Sequence, residues 1–154
     1  MVIQMDSREK PRATAQIIAE FEKQGIKFYT SKLLVGDYMS LDNPKVIVDR
    51  KQNLIEVCGN VCQQHERFRR EIERANDCGI HLIFLVEHGR GIKTLEDVRK
   101  WQNPRLKVRP DALTGERLYR ILKTMEEKYG VEFLFCDKRQ TGKRIIELLG
   151  VKDD

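Results

Sequence analysis

Three short segments in the first third of the chain carry the residues best suited to chemistry. They are Asp6-Ser7-Arg8-Glu9, Gly36-Asp37-Tyr38 and Val48-Asp49-Arg50-Lys51. Two carboxylates can hold a hard divalent cation through oxygen. Such a cation polarises a phosphoryl oxygen and activates bound water, while a nearby ammonium positions that water or holds the phosphate. Asp37, Asp49 and Lys51 therefore have the chemistry for metal-dependent cleavage of a phosphodiester.

The pattern around these residues predicts a β-hairpin. Residues 36–41 are predicted as one strand, Asn43-Pro44 as a turn, and 46–48 as the next strand, with Asp49 and Lys51 at its end. A tight turn brings Asp37 and Asp49 to the same end of a sheet, and side chains two residues apart in a strand share a face. An isolated Asp-x-Lys is more often only a charged strand end, so the spacing alone leaves that alternative open.

Size and composition bound the class of protein. The chain has 154 residues, of which 40% are hydrophobic and 34% charged, as expected for one soluble globular domain spanning 1–154. The sequence has neither an apolar run of about 18 residues nor a secretory signal pattern, so a cytoplasmic protein without a membrane contact is expected. A formal net charge of +5 is a mild preference for polyanionic partners.

Apolar periodicity predicts strands interleaved with helices along the whole chain. The predicted strands are 2–5, 26–29, 36–41, 46–48, 80–86 and 131–136, and the predicted helices are 11–25, 61–77, 95–101, 118–129 and 141–149. This order predicts an α/β fold, in which helices pack on both faces of a mixed central sheet. Residues 80–86 are the most hydrophobic segment and are predicted to form a central buried strand.

The cysteines are expected to be free thiols, as is usual in the cytoplasm. Cys58, Cys62 and His65 lie at helical spacing, which raises the question of a zinc site. Their spacing matches no common zinc pattern and a fourth ligand is missing, so buried helix residues are the preferred interpretation.

The three segments resemble the motifs of the XPF family of structure-specific endonucleases, which belongs to the PD-(D/E)XK, or restriction-endonuclease-like, superfamily. That family's Asp-x-Arg-Glu, Gly-Asp-Tyr and Val-Glu-Arg-Lys motifs stand here in the same order, with Asp49 in place of glutamate. The resemblance implies a restriction-endonuclease-like fold and a Mg²⁺- or Mn²⁺-dependent endonuclease that cuts branched or structured DNA in repair, recombination or replication. The alternative is a non-catalytic DNA-binding or adaptor domain that keeps the nuclease fold.

The resemblance also implies roles for individual residues. Asp37 and Asp49 would bind the metal, and Asp6 would contribute directly or through water. Lys51 would orient the attacking water and stabilise developing charge.

Other charged residues have supporting roles or leave a structural alternative open. Arg8 and Arg50 are expected to support catalysis, although Arg8 has a structural ion pair as its alternative and Arg50 points away from the metal face in a regular strand. Glu71 falls where related folds place an active-site Glu or Gln, and an ion pair with Arg67 is its alternative. The residues expected to bind DNA, or else to form solvated helix surfaces, are Arg67, Arg70, Arg74, Lys143 and Arg144.

Two departures from the family pattern affect the expected mechanism and assembly. The family often has an aspartate four residues after the signature lysine, whereas this chain has Ile55, with Glu56 as a candidate substitute. The number of metals is therefore open. The sequence also ends at 154 without a helix-hairpin-helix module, which predicts a stand-alone domain of phage or bacterial type. Relatives pair through this domain, so a homodimer through the apolar faces of the last two helices is expected.

Overall fold

A computed structural model describes residues 1–89 and 91–150, in which six strands form one mixed sheet. The strands are β1 (Val2–Met5), β2 (Lys27–Thr30), β3 (Tyr38–Ser40), β4 (Asn43–Lys51), β5 (His81–Glu87) and β6 (Glu132–Cys136). Their spatial order is β2-β1-β3-β4-β5-β6. Strand β3 is antiparallel to both of its neighbours, and the other adjacent strands are parallel.

Helices cover both faces of this sheet. They are α1 (Pro11–Lys23), α2 (Leu54–Val61), α3 (His65–Asp77), α4 (Gly115–Tyr129) and α5 (Thr141–Gly150), with short 3-10 helices at Leu95–Lys100, Pro104–Lys107 and Lys138–Gln140. Apolar residues of α2, α3 and α4 form one buried cluster, and those of α1 and α5 form another. The predicted α/β class, with helices on both faces, is confirmed.

Strand β5 contributes to both clusters by strict alternation. Leu82, Phe84 and Val86 pack with α2, α3 and α4, whereas Ile83 and Leu85 pack with α1 and α5. A parallel strand covered on both faces has to be apolar at every position. This requirement explains why residues 81–87 are the most hydrophobic part of the sequence.

The same alternation in β4 separates its charged residues. Asp49 is in register with Phe84 and Arg50 is in register with Leu85. Paired residues on adjacent strands share a face. Asp49 and Lys51 therefore face α2 and α3, and Arg50 faces α1 and α5.

The predicted hairpin forms, but its turn lies earlier than expected. Asn43 pairs with Ser40 across the hairpin, so the turn consists of 41–42 and the predicted turn residues Asn43 and Pro44 begin β4 instead. Pro44 is exposed there, and the start of a strand is a position where the missing N–H of proline is tolerated.

The predicted helix 61–77 is wrong in its boundaries, because two helices occupy this region. Helix α2 begins at Leu54, and the side chain of Asn53 caps it by accepting a hydrogen bond from the Glu56 N–H at 2.8 Å. A turn at 62–64 then interrupts the helix before α3 begins at His65. Val61 and Phe68 lie seven residues apart, close to two helical turns, so the periodicity does not reveal the break.

The break also separates the residues considered for zinc. Cys62 and His65 are exposed and Cys58 is half-buried. Within 1–89 and 91–150, no group of three His, Cys, Asp or Glu side chains is arranged to hold a metal ion by itself. The same part of the chain contains no helix long and apolar enough to cross a membrane.

Candidate active site

A polar cleft of about 660 Å³ lies at the carboxyl end of β4. Its floor contains Asp37, Asp49 and Lys51 from the hairpin, and Glu71 of α3 closes one side. The structure therefore brings together the three side chains on which the predicted chemistry depends. It also places Glu71 beside them, which the sequence left undecided.

Backbone hydrogen bonds fix Asp37 against β4. Its N–H donates to the carbonyl of Val48 at 2.9 Å, and its Oδ2 accepts from the Arg50 N–H at 2.8 Å. Asp37 immediately precedes β3 and is not within it, contrary to the predicted strand 36–41. The carboxylate is thus held from the backbone of the neighbouring strand, so its position depends on the hairpin register.

Gly36 permits the sharp approach of Asp37 to β4. Its φ of +69° lies in the left-handed region, and a Cβ at this position would collide with Cγ2 of Ile47. Gly36→Ala is expected to destabilise the protein by about 1–3 kcal/mol, because it combines backbone strain with a core clash. Urea unfolding would measure the change, with Gly89→Ala as control because nothing lies within 4 Å of a Cβ there. Equal stability of the two variants would contradict this account of Gly36.

The three acidic residues of the cleft lie close enough together to shift each other's pKa values. Burial, together with the charges of Asp49 and Glu9, raises the pKa of Asp37 well above its usual range. Burial and a hydrogen bond to Asp49 raise the pKa of Glu71 to about 8. Burial alone would also raise the pKa of Asp49, but the Lys51 charge and hydrogen bonds from the other two acids lower it overall. The cluster therefore concentrates negative charge at Asp49 and retains protons beside it.

Lys51 is the cation within this cluster. Its Nζ lies 3.5 Å from Asp49 Oδ1 and over the rings of Phe68 and Phe84, at 5.3 and 5.6 Å from their centroids. Burial acts to lower its pKa, but the negative charges of Asp49 and Glu71 raise it overall. Lys51 is therefore charged although only 8% of the residue is exposed.

The Arg50 side chain lies on the opposite face of the sheet. Its Nε is 2.9 Å from Glu9 Oε2 and its Nη1 is 2.5 Å from Glu87 Oε1. The hydroxyl of Tyr38 donates to Glu9 at 2.9 Å, and that of Thr141 donates to Glu87 at 2.6 Å. The Arg50 side chain thus points away from Asp49 and Lys51, as its place in the strand predicts, and connects the end of β4 with Glu9, which precedes α1, and with Glu87 at the end of β5.

Asp6 and Arg8 line a groove beside the cleft. Asp6 is only 2% exposed, and its Oδ1 accepts from the N–H of Leu33 at 2.8 Å. Its Oδ2 accepts from the Nε and backbone N–H of Arg8, at 2.8 and 3.2 Å. Both carboxylate oxygens are therefore engaged, one with Leu33 and the other with Arg8, and the predicted metal contact of Asp6 stays a prediction.

The predicted DNA-binding residues fall into two groups. Arg67, Arg70 and Arg74 are exposed on α3 and line the groove that contains Asp37. Lys143 and Arg144 lie on α5, which packs on the other face, and Arg144 is paired with Glu147 at 2.8 Å. Only the first group borders the acidic cleft, and the DNA contacts of both stay predictions.

The opposite wall of the cleft contains Lys10, Arg12 and Lys138. Lys138 belongs to a basic cluster of the sequence with Arg139, Lys143 and Arg144, whereas Lys10 and Arg12 were not singled out from the sequence. Lys10 and Arg12 directly follow the Asp6-Ser7-Arg8-Glu9 segment, so their position after a motif was an available signal. Lys138 approaches from the turn after β6, and no local pattern connects it with the hairpin.

Comparisons with known proteins identify a family and a shared fold. The ERCC4 domain matches residues 5–149. The structure is similar to XPF from Aeropyrum pernix, with a TM-score of 0.68 and 19% identity over 97% of this chain and 63% of that chain. For XPF from Aeropyrum pernix in complex with DNA the TM-score is 0.66, with 18% identity over 97% of this chain and 63% of that one. The chain thus spans under two thirds of these structures.

A sequence comparison with curated proteins gives no match. The domain match nevertheless covers most of the chain, and the predicted resemblance to XPF nuclease domains is confirmed. The chain belongs to the ERCC4 domain family.

Proposed function

We propose that this domain is a divalent-metal-dependent DNA endonuclease. The observation that carries the proposal is the meeting of Asp37, Asp49 and Lys51 in one open cleft, with Lys51 Nζ 3.5 Å from Asp49. Membership of the ERCC4 domain family and the fold shared with an XPF that has been captured with DNA support the same activity.

The residues of the cleft fit a magnesium or manganese ion. Mg²⁺ characteristically uses one or two carboxylates and completes its coordination with water and substrate phosphates. Asp37 and Asp49 provide such a pair, and the described residues offer no all-protein cage of three ligands that would suit a different metal. A bound cation would supply polarisation of a phosphoryl oxygen and acidification of water. Its positive charge would also favour the deprotonated carboxylates of Asp37 and Glu71, whose pKa values are raised by burial and by the charge of Asp49.

The chain's own residues prepare the substrate. Lys51 orients the attacking water or stabilises the charge that develops on the scissile phosphate. The Arg50 N–H holds the Asp37 carboxylate in place, and Glu71 holds Asp49 through a hydrogen bond. Asp6 and Arg8 keep the neighbouring loop closed around the site.

The DNA backbone crosses the cleft between two basic walls. One wall consists of Arg67, Arg70 and Arg74, and the other consists of Lys10, Arg12 and Lys138. Phosphates attract such clusters irrespective of base sequence, so the substrate is selected by shape and branching. Action in repair, recombination or replication, a cytoplasmic location and homodimerisation belong to the same proposal.

Cleavage assays test this activity directly. The purified protein should cut at least one of a panel of labelled flap, fork, nicked, four-way-junction and single-stranded DNAs in Mg²⁺ or Mn²⁺, and none in EDTA. If a folded preparation leaves the whole panel intact, the non-catalytic adaptor domain becomes the better account. Titration calorimetry with Mn²⁺ then separates a metal-binding but inactive domain from one that does not bind metal.

Metal binding is expected to stabilise the fold. Mn²⁺ at 100 times its dissociation constant would add about 2.7 kcal/mol, which raises the Tm of a domain of this size by roughly 5–10 °C. Thermal scans with and without MnCl₂ measure the shift. Asp49→Asn serves as the control because its cleft has lost a metal-binding carboxylate. An unchanged Tm for the native protein at saturating Mn²⁺ would argue against this metal site.

A further inference from the structure

A second cavity, of about 260 Å³, lies beside the active-site cleft, and α2 separates the two. Glu56 and Asn60 on α2 line the cleft, whereas Ile55 and Cys58 line the second cavity. The opposite wall of this cavity includes Leu113 and three arginines, which are Arg105, Arg109 and Arg117. We refer to it as the arginine pocket.

The guanidinium groups of the arginine pocket are largely without acidic partners. Arg109 lies 4.0 Å from Asp111, at the limit of an ion pair. Within the described ranges, neither Arg105 nor Arg117 makes a side-chain ion pair or hydrogen bond. Arg99 and Arg120 on the neighbouring elements are both paired with Glu116. Arg105 and Arg117 therefore have no partner among the described residues that would compete with phosphate for their donors.

The segment that carries Arg105 is joined by hydrogen bonds of Asn103 to Leu113, an apolar residue of the same pocket. Asn103 is 4% exposed, and its Nδ2 donates to the carbonyl of Leu113 at 2.9 Å. Its Oδ1 accepts from the Arg105 N–H at 3.0 Å. A single buried amide thus fixes the backbone of Arg105 relative to that of Leu113, so little ordering of the backbone is needed here when a ligand binds.

This combination matches one chemical class of ligand. The apolar side chains of Ile55 and Leu113 can accept the face of a nucleobase, and guanidinium groups bind phosphates and stack on bases. We propose that the arginine pocket binds a nucleotide of a single DNA strand that continues from the active-site cleft past α2. This inference rests on the proposed endonuclease function, because it assigns the path of one arm of the substrate.

Thiol protection can test the pocket in the intact protein. Cys62 lines the pocket and is exposed, while burial raises the pKa of its neighbour Cys58 to about 11 and makes that thiol unreactive at neutral pH. Cys78 is also exposed but lines neither cavity, so it is the internal control. Iodoacetamide modification in EDTA, followed by mass spectrometry, should show that a short oligothymidylate slows the alkylation of Cys62 severalfold and leaves Cys78 unchanged.

Arginine variants identify the groups responsible. Arg105→Ala/Arg117→Ala should abolish the protection of Cys62 and reduce the salt dependence of single-strand binding by roughly 1.4 in log–log slope, for two phosphates at about 0.7 each. Arg120→Ala/Arg139→Ala is the matched control, because both of those arginines are exposed and already paired with carboxylates. The control pair should keep the protection.

The possible outcomes separate this inference from the activity on which it rests. If fluorescence anisotropy detects binding of the oligothymidylate while Cys62 reacts at its free rate, the pocket assignment is overturned and the endonuclease proposal stands. If neither single-stranded nor branched DNA binds, both fail. If thymidine monophosphate protects Cys62 as well as the oligonucleotide does at equal nucleotide concentration, the pocket is a free-nucleotide site and the strand path is overturned.

Discussion

Asp49→Asn should lower the rate of metal-dependent DNA cleavage by about 10³-fold or more, and Lys51→Ala should do the same. The first change removes the negative charge that meets both the cation and Lys51, at nearly constant volume. The second removes the ammonium that lies 3.5 Å from that carboxylate. Single-turnover assays at saturating Mg²⁺ or Mn²⁺, on whichever DNA the native protein cuts best, would measure the loss.

The same hairpin supplies matched controls for these two variants. Asp42 lies in the turn with 74% of its side chain exposed, and Lys45 is exposed near the start of β4. Asp42→Asn and Lys45→Ala should therefore retain nearly native cleavage rates. Residual cutting by Asp49→Asn at the level of Asp42→Asn would mean that Asp49 has no part in the reaction, and that any nuclease activity has another origin.

Replacement of Arg50 by methionine should cost about 3–5 kcal/mol of folding free energy, the usual effect of removing one partner from a buried ion pair. Glu9 and Glu87 would then share a buried space without a counter-charge. Equilibrium urea unfolding at neutral pH would measure the loss. Arg139→Met is the matched control: its pair with Asp137 is at the surface and contributes about 0–1 kcal/mol.

A compensating variant distinguishes unpaired charge from lost packing. In Arg50→Met/Glu9→Gln/Glu87→Gln the two carboxylates become neutral amides, which are less costly to bury unpaired. This triple variant should recover part of the stability lost in Arg50→Met. If it is no more stable than the single variant, the side chain of Arg50 contributes mainly through packing, and the electrostatic interpretation of the network is wrong.

The sequence predicts the parts of the fold and of the candidate site that depend on residues a few positions apart. Alternation along β4 predicted that Asp49 and Lys51 share a face and that Arg50 points away, because side-chain direction in a strand depends only on parity. The hairpin that brings Asp37 to Asp49 followed from the short distance between two strands. The turn was misplaced by two residues, since Asn43-Pro44 is a strong turn signal that the exposed start of a strand also tolerates.

Contacts between distant elements were beyond local patterns. Glu87 ends a hydrophobic strand, and nothing in its surroundings indicates that it meets Arg50, 37 residues earlier. Glu71 lies next to the apolar stripe of α3, which permits both a surface ion pair with Arg67 and a place in the cleft. The packing of Phe68 and Ile72 against the sheet decides between them, and among the described residues Glu71 makes no ion pair with Arg67.

Through its hydrogen bond to Glu87, the hydroxyl of Thr141 makes the network around Arg50 depend on the part of the described chain that is synthesised last. All three acidic motifs leave the ribosome early, long before Thr141 is translated. Until α5 docks, Glu87 lacks this bond, so the ion-pair network of Glu9 and Glu87 around the Arg50 side chain is incomplete. The backbone N–H of the same Arg50 donates to Asp37. A nascent chain would therefore contain all three motifs before the network around Arg50 is complete, and this network would close only when the last described helix is in place.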